Sequence, residues 1–400
     1  MDITNFKTKA EIRDITMPKV LGNNQYKHNF IVALDGGYSS VKGISENVLF
    51  VFPSYAKKVS SIDIVGKLNP TDMILVNHLT NETWLVGSFA ENTMDVKDIQ
   101  ATTDESLYTR YRYKSEIYRT IMTTGLGLGL FKMENNLDGL TICLQTGLPS
   151  AYVKTDAKVL KEVLSGEYDF SLRVGSQTKH FKFTLEYDNI GVMEQPRGTL
   201  ANIVYDKEGH LLPDMKDILN SDTLILDDGF GTEDIFSIRS GSNIKDNKNK
   251  TFSDTAMKSV FELTANEIND KYDTEFKVFE LQKYLKRGEV PVVDRTVFPP
   301  KTIMVPFLDR LAENNRRLCE KSVRRLLEEY HDLLDYQYLV ITGGTGESRI
   351  DYIREMLQGI PGLQIYLGNH ADPSISSIYS NVRGYYMSML LKVQKAMRSA

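Results

Sequence analysis

Cysteine is nearly absent from this 400-residue chain, with Cys143 and Cys319 its only two. No disulfide framework follows from such a count, and a reducing, cytoplasmic setting fits it. Neither thiol has a histidine nearby in sequence to make it a nucleophile. Long apolar runs are also missing: none approaches the ~18 residues needed to span a bilayer. The opening "MDITNFKTKAEIRDITMPKV" mixes charges throughout, without the apolar core of a signal peptide, and is too polar for an amphipathic anchor. Positive charge is not in excess. The formal net charge of −5 argues against a general nucleic-acid surface. One stretch mixes bases with aromatics, "YTRYRYK" (Tyr108 to Lys114), and it reads as one amphipathic helix with Tyr108, Tyr111 and Ile117 partly buried. His78, His180, His210, His331 and His370 are scattered without metal-ligand spacing and read as structural or exposed.

What is present is ordinary globular material, 41% hydrophobic and 25% charged, enough for about two domains. Residues 1–28 read as a polar, irregular extension. Strands are expected in "NFIVALDGG", "VLFVFPSYAKKV", "TDMILVNHL", "TWLVGSFA" and "LTICLQTGLPS". A helix is expected over roughly 104–132, closing on the glycines of "GLGLGLF", and another over 151–166. "YDFSLRVGSQTKHFKFTLEYD" alternates as a hairpin around Gly175 and Ser176. "NIGVMEQPRGTLANIVYD" reads as strand, loop, helix. Past a basic loop, "KDNKNK", helices dominate, and residues 307–334 carry Leu311, Leu318, Val323, Leu326 and Leu327 at helical spacing. "YLVITGGTGES" and "GLQIYLG" are further strands, and a helix from about Ser376 ends the sequence. Strands alternating with helices indicate α/β layers.

Within this pattern lies an internal echo. "IVALDGGYSSVKG" ends a strand on Asp35, follows it with Gly36 and Gly37, and places Lys42 seven residues on. "LILDDGFGTEDI" ends a strand on Asp227, follows it with Gly229 and Gly231, and places Asp234 seven residues on. About half a chain separates the two, as a duplicated fold would require. Glycine admits positive φ and close approach of the backbone to a ligand, and successive N–H groups form a nest for phosphate oxygens. Lys42 would neutralise phosphate as a point cation. Asp35 and Asp227 would converge on a hydrated Mg²⁺ or on an attacking water. "GGTGES" ends a third strand and opens a helix, placing backbone against a nucleoside. Asp234 is expected to face back into its hairpin, and Asp228 and Glu233 to be solvated turn residues. No Walker-type Gly-Lys-Ser/Thr loop occurs at the required spacing.

These motifs, in this order, resemble the actin superfamily of actins, heat-shock chaperone ATPases and sugar kinases, over roughly residues 29–395. "DGGYSSVK" is similar to the first phosphate loop, "DDGFGTED" to the second and "ITGGTGES" to the adenosine loop. "EQPRGTLA" resembles the first connecting segment and "YSNVRGYY" the second, where Asn381 and Gly384 fit a close helix crossing. Lys42, "WLVGSFA", "TGLP" and "NVRGYY" look most like the bacterial actin-like proteins typified by ParM. The resemblance implies an α/β, two-lobe fold of duplicated ribonuclease-H-like domains around a nucleotide cleft. Its first lobe would be 29–215 with the C-terminal helix 379–400, its second 216–378.

The nucleotide implied is ATP or ADP with Mg²⁺, GTP being the alternative. It would contact Gly36, Gly37, Tyr38, Ser39, Ser40 and Lys42, then Asp228, Gly229, Phe230, Gly231 and Thr232, then Gly343, Gly344, Thr345 and Gly346. The catalytic set would be Gln195, which orients the water (with Glu194 as the adjacent fallback), and Asp227 and Asp35, which hold Mg²⁺ through its waters. The family's behaviour implies an ATPase that self-associates head to tail into filaments and segregates plasmid DNA through a ParR-like DNA-binding adaptor, with no direct nucleic-acid or membrane contact. Two rivals remain: a sugar or acid kinase of the same superfold, which would need an Asp base that is not evident here, and a non-segregating cytoskeletal actin homologue. A chaperone-type ATPase is disfavoured, because only 16 residues follow Gly384.

Overall fold

The computed structural model describes residues 6, 9–20, 28–60, 67–94, 109–133, 137, 139–238 and 248–399. Tyr108, the start of the helix expected from 104 and part of "KDNKNK" lie outside these. The chain divides into two compact units. One comprises Thr8–Lys216 and Gly368–Ala400, the other Met1–Lys7 and Asp217–Leu367.

In the first unit, strands β1 (Glu11–Asp14), β2 (His28–Gly36), β3 (Ser40–Ser45), β4 (Val48–Pro53), β5 (Ala56–Val59), β6 (Met73–Asn77) and β7 (Glu82–Val86) precede helices α1 (Ser88–Thr93) and α2 (Glu116–Leu130). Then come β8 (Leu140–Leu148), α3 (Val153–Leu164), β9 (Gly166–Val174), β10 (Gln177–Leu185), β11 (Ile190–Glu194) and α4 (Gln195–Val204). A six-stranded sheet runs β1-β4-β3-β2-β8-β11, and a five-stranded sheet runs β10-β9-β6-β7-β5.

Strand β2 shows why "NFIVAL" is apolar without alternation: both of its faces are covered. Phe30, Val32 and Leu34 enter one core with Ile121, Met122 and Leu126 of α2. Ile31 and Ala33 enter the opposite core with Val382, Tyr385 and Tyr386 from the C-terminal helix. Helix α2 closes on the glycines of "GLGLGL", as expected, and they serve packing as well as termination. A Cβ on Gly125 or Gly129 would fall 2.9 or 2.8 Å from the Leu34 or Val32 side chain. Each glycine costs a helix about 1 kcal/mol relative to alanine, a cost accepted here so that α2 can lie close on the sheet. The N-terminal segment is likewise no free arm. Glu11–Asp14 pair antiparallel with Val48–Val51, and Met17 and Val20 are buried in the second core.

The second unit holds α5 (Lys216–Asn220), β12 (Thr223–Asp228), β13 (Glu233–Ile238), β14 (Lys250–Phe252), α6 (Met257–Tyr272), α7 (Val278–Tyr284), β15 (Glu289–Asp294), β16 (Lys301–Pro306), α8 (Leu308–Glu329), β17 (Tyr338–Thr342), α9 (Gly343–Leu357) and β18 (Gln364–Leu367). Its main sheet runs β14-β13-β12-β17-β18. That order repeats β4-β3-β2-β8-β11 strand for strand: an antiparallel hairpin pair followed by two parallel strands. The echo in the sequence is therefore a duplication in topology. Leu224 and Leu226 of β12 pack with Val323 and Leu326 of α8 and with Ile350 and Ile353 of α9.

Helix α10 (Ser380–Ser399) belongs to the first unit. It crosses α4 so closely that a Cβ on Gly384 would fall 1.6 Å from the Gly198 carbonyl oxygen. Thr199 Oγ1 donates to Asn381 Oδ1 at 2.7 Å across the same crossing. Among the described residues no helix is long and apolar enough to cross a membrane.

Candidate functional site

The first unit gathers a polar constellation at the end of β2. Hairpin pairing places Asp35 opposite Lys42, so a seven-residue spacing in sequence becomes a cross-strand pair. Asp35 is buried, 3% exposed. Its Oδ2 lies 3.4 Å from Lys42 Nζ, and its Oδ1 accepts from Gln195 Nε2 at 3.2 Å.

Gln195 reaches Asp35 because β11 passes directly into α4 without the expected loop. Glu194 occupies the N-cap position without a side-chain capping bond, and Pro196 sits in the first turn, where a fixed φ is favourable and the missing N–H costs nothing. Proline and glycine in "EQPRG" therefore mark a helix start rather than a turn. The loop between β2 and β3 is held from β4: Ser54 Oγ donates to the Gly37 carbonyl at 2.9 Å and Ser54 N to the Ser39 carbonyl at 3.1 Å.

Arg112 is a residue of this site that the sequence reading passed over. Its guanidinium donates to the Gly36 carbonyl and lies 4.1 Å from the centre of the Tyr38 ring. Its Nη1 is buried and has no hydrogen-bond partner among the described residues. The aromatic–basic stretch thus braces the first glycine loop. Its neighbour Arg110 is spent on Asp156, at 3.0 and 3.1 Å. The signal was present in "YTRYRYK", but an arginine aimed at a loop 76 residues upstream has no local signature.

The second unit carries the other glycine hairpin. Asp227 pairs with Asp234 and Asp228 with Glu233, so the two acid pairs point to opposite faces of the sheet. Asp227 is buried at the strand end. Asp234 accepts from Thr251 Oγ1 at 2.6 Å, a structural role within the sheet, as expected.

Asp228 and Glu233 are not solvated turn residues. They are 1% and 0% exposed. Asp228 Oδ2 accepts from Arg349 Nη1 of α9 at 2.7 Å. The guanidinium is itself fully buried and also donates to Asn315 Oδ1 at 2.8 Å and to the Thr255 carbonyl at 2.9 Å. Glu233 accepts from Ser322 Oγ at 2.6 Å. Two carboxyls around one guanidinium leave a surplus negative charge in an apolar interior. Burial pushes the Asp228 carboxyl up to about 8 and raises Glu233, while Arg349 pulls both back. The pair therefore titrates as a unit and retains a proton near neutrality. Asp228, expected among the nucleotide contacts, directs its side chain into this cluster.

The third loop locks onto the second. Gly343 opens α9 at φ +82°, and a Cβ there would fall 2.2 Å from the Asp228 carbonyl oxygen and 2.9 Å from Asp227 Oδ1, so only glycine fits. Thr345 Oγ1 donates to the Gly229 carbonyl at 2.8 Å. Phe230 turns toward Phe261, ring centres 6.3 Å apart, and joins an apolar cluster of this unit. Gly229 N donates to the Thr232 carbonyl at 2.9 Å, closing the turn.

Of the expected residues, then, Asp35, Lys42 and Gln195 meet in the first unit, while Asp227, Gly229, Gly343 and Thr345 meet in the second. As a donor set, the first group offers a carboxylate, a cation and an amide at the end of a glycine loop. That composition suits a phosphate with a hydrated magnesium ion, which prefers one or two carboxylates and keeps most of its water.

Comparison with known proteins agrees with the duplicated topology. Residues 33–198 match the family model of the N-terminal domain of actin-like proteins. No curated protein sequence matches the chain. Among solved structures, a non-polymerisable quadruple mutant of pCBH ParM is similar at TM-score 0.68 and 17% identity, covering 92% of this chain and all of its own. A 15-stranded ParM filament from Clostridium botulinum gives TM-score 0.68 and 17% identity, covering 91% and 99%. The archaeal actin homologue Ta0583 in complex with ADP gives TM-score 0.59 and 14% identity, covering 90% and 99%. The protein has the α/β actin-like fold, and the resemblance to ParM-type actin-like proteins drawn from its motifs holds.

Proposed function

We propose that this protein is a nucleotide-dependent, filament-forming ATPase that takes ATP with Mg²⁺, GTP being the alternative, assembles head to tail, and moves plasmid DNA through a centromere-bound ParR-like adaptor. The observation that carries the enzymatic part is the buried Asp35 carboxylate holding Lys42 on one oxygen and Gln195 on the other. Asp35 works as a hub. By accepting from Nε2 it fixes the rotation of the Gln195 amide, leaving Oε1 as the acceptor that orients a water. By facing Nζ it holds the Lys42 ammonium at the glycine loop, where it meets phosphate charge. Asp227, buried at the equivalent strand end, supplies the second carboxylate. Asp35 in the first unit and Asp227 in the second are each a carboxylate of the kind that would hold magnesium through its waters, and the ion would supply charge neutralisation on the phosphates. Gln195 cannot remove a proton from a substrate hydroxyl, so water is the acceptor rather than a sugar.

Self-assembly is supported by likeness to a ParM filament structure, whereas the adaptor rests on the motif resemblance alone. A head-to-tail contact between identical subunits that does not close generates a filament. Light scattering at 90° and phosphate release are followed together after adding ATP or GTP with Mg²⁺. Scattering should rise first and phosphate follow. Scattering that stays flat at every protein concentration refutes the filament, and turnover unchanged in Asp227→Ala refutes the assigned chemistry.

A further inference from the structure

The five-stranded sheet of the first unit has one face in the core and one outside. Along β9, Tyr168, Phe170 and Leu172 are buried, while Asp169 and Ser171 alternate outward. Register fixes what stands beside them. His180 of β10 is opposite Ser171. Extending the β6–β9 pairing one residue past Asn77 opposite Phe170 brings His78 to Asp169, and the His78 N–H donates to the Asp169 carbonyl at 2.8 Å. Two imidazoles from residues 102 apart thus meet over one carboxylate. The rings lie 5.2 Å apart, edge to face.

We propose that this outer face is a divalent transition-metal site, with His78, Asp169 and His180 as the ligands of a zinc-class ion. One ligand atom from each lies within 4.8 Å of the others. Zinc binds imidazole nitrogen and carboxylate oxygen at about 2.0–2.2 Å and accepts three protein ligands with a fourth position open. His180 Nε2 already lies 2.8 Å from Asp169 Oδ1, and His78 Nε2 lies 2.8 Å from Ser171 Oγ. Modest side-chain rotation gathers all three around one ion.

The Lys182 ammonium, 3.3 Å from Asp169 Oδ2, is 77% exposed and free to turn into solvent when a metal takes the carboxylate. Two imidazole nitrogens favour zinc, copper or nickel over magnesium and calcium, so the site is chemically separate from any nucleotide magnesium. An ion there would tie β6, β9 and the edge strand β10 together.

Zinc chloride is titrated calorimetrically into the untagged full chain and into His78→Ala, His180→Ala and the double variant. One saturable ion per chain is expected at micromolar concentration, weakened at least about 10-fold in each single variant and lost in the double. Absence of saturable binding in the parent chain, or unchanged affinity in the double variant, overturns the site. Should a variant fail to fold, the parent chain suffices. Diethyl pyrocarbonate labelling read by peptide mass spectrometry should show zinc protecting His78 and His180 while His210 and His331 stay reactive. Equal labelling with and without zinc overturns the proposal.

Discussion

The hairpins β2–β3 and β12–β13 occupy the same place in two copies of one sheet, and their charges are arranged in opposite ways. In the first, the carboxylate at the strand end faces a cation across the ladder, Asp35 opposite Lys42. In the second, acid faces acid twice, Asp227 opposite Asp234 and Asp228 opposite Glu233. The first hairpin keeps its polar groups together at the strand end with Gln195. The second sets one pair beside Arg349, whose ion pair with Asp228 ties the hairpin to α9. Duplication has left one hairpin whose strand-end acid faces a cation across the ladder and one whose second acid pair is buried against a helix.

The sharpest way to break that comparison is to remove the base from each hairpin. Arg349→Ala strands two buried carboxyls and should lower the unfolding free energy in urea by about 3–5 kcal/mol. Lys42→Ala should lower it by less than about 1 kcal/mol, because Asp35 retains Gln195 and the ion pair is not fully buried. Equal losses would mean that the two hairpins are energetically alike.

Next in size is the effect of Gln195→Ala on turnover. Loss of a positioned acceptor at the water should slow phosphate release roughly 100-fold, about 2.7 kcal/mol. Stability should change little, and polymers should persist longer. A variant that hydrolyses nucleotide at the parent rate would remove Gln195 from the chemistry and leave Asp35 as a purely structural carboxylate.

Smaller effects separate binding from bracing at the first hairpin. Lys42→Ala should weaken nucleotide about 10-fold in equilibrium titration, the scale of one charged hydrogen bond. Arg112→Ala frees the Gly36 carbonyl and the Tyr38 ring and should weaken it only a few-fold. If Arg112→Ala is the more damaging, its unpartnered Nη1 contacts ligand directly and the arginine belongs with Lys42.

Much of this was readable from residues alone where pairing is local. The Asp35–Lys42 and Asp227–Asp234 spacings report hairpin register, which a short turn fixes, and "NFIVAL" without alternation reports a strand covered on both faces. The third glycine loop was readable because a strand and a helix flank it. Contacts made by distant partners were not. Asp228 looked solvated because its cation lies 121 residues away, and nothing near "LDDG" reveals which of two adjacent acids faces inward. His78 and His180 looked scattered because β9, between β6 and β10, brings them together only in the folded sheet. The glycines of α2 mark its end, but their close packing on β2 is a tertiary reason that local propensity does not contain.

The pH dependence of stability is the readout most selective for the second hairpin. A carboxyl whose pKa is raised on folding binds its proton more tightly in the native state than in the unfolded one. Its stabilising contribution is complete below the unfolded value near ~4 and is lost as pH rises through the folded value. For Asp228, pushed up to about 8 by burial, that loss extends through neutrality to about pH 8. The unfolding free energy should therefore fall between pH 6 and about pH 8, by at most about 1.4 kcal/mol per pH unit for one proton. Asp228→Asn should flatten this slope, whereas Asp35→Asn should leave it intact. A slope that survives Asp228→Asn would place the proton on Glu233, and one that survives substitution of both would show that the buried cluster does not titrate in this range.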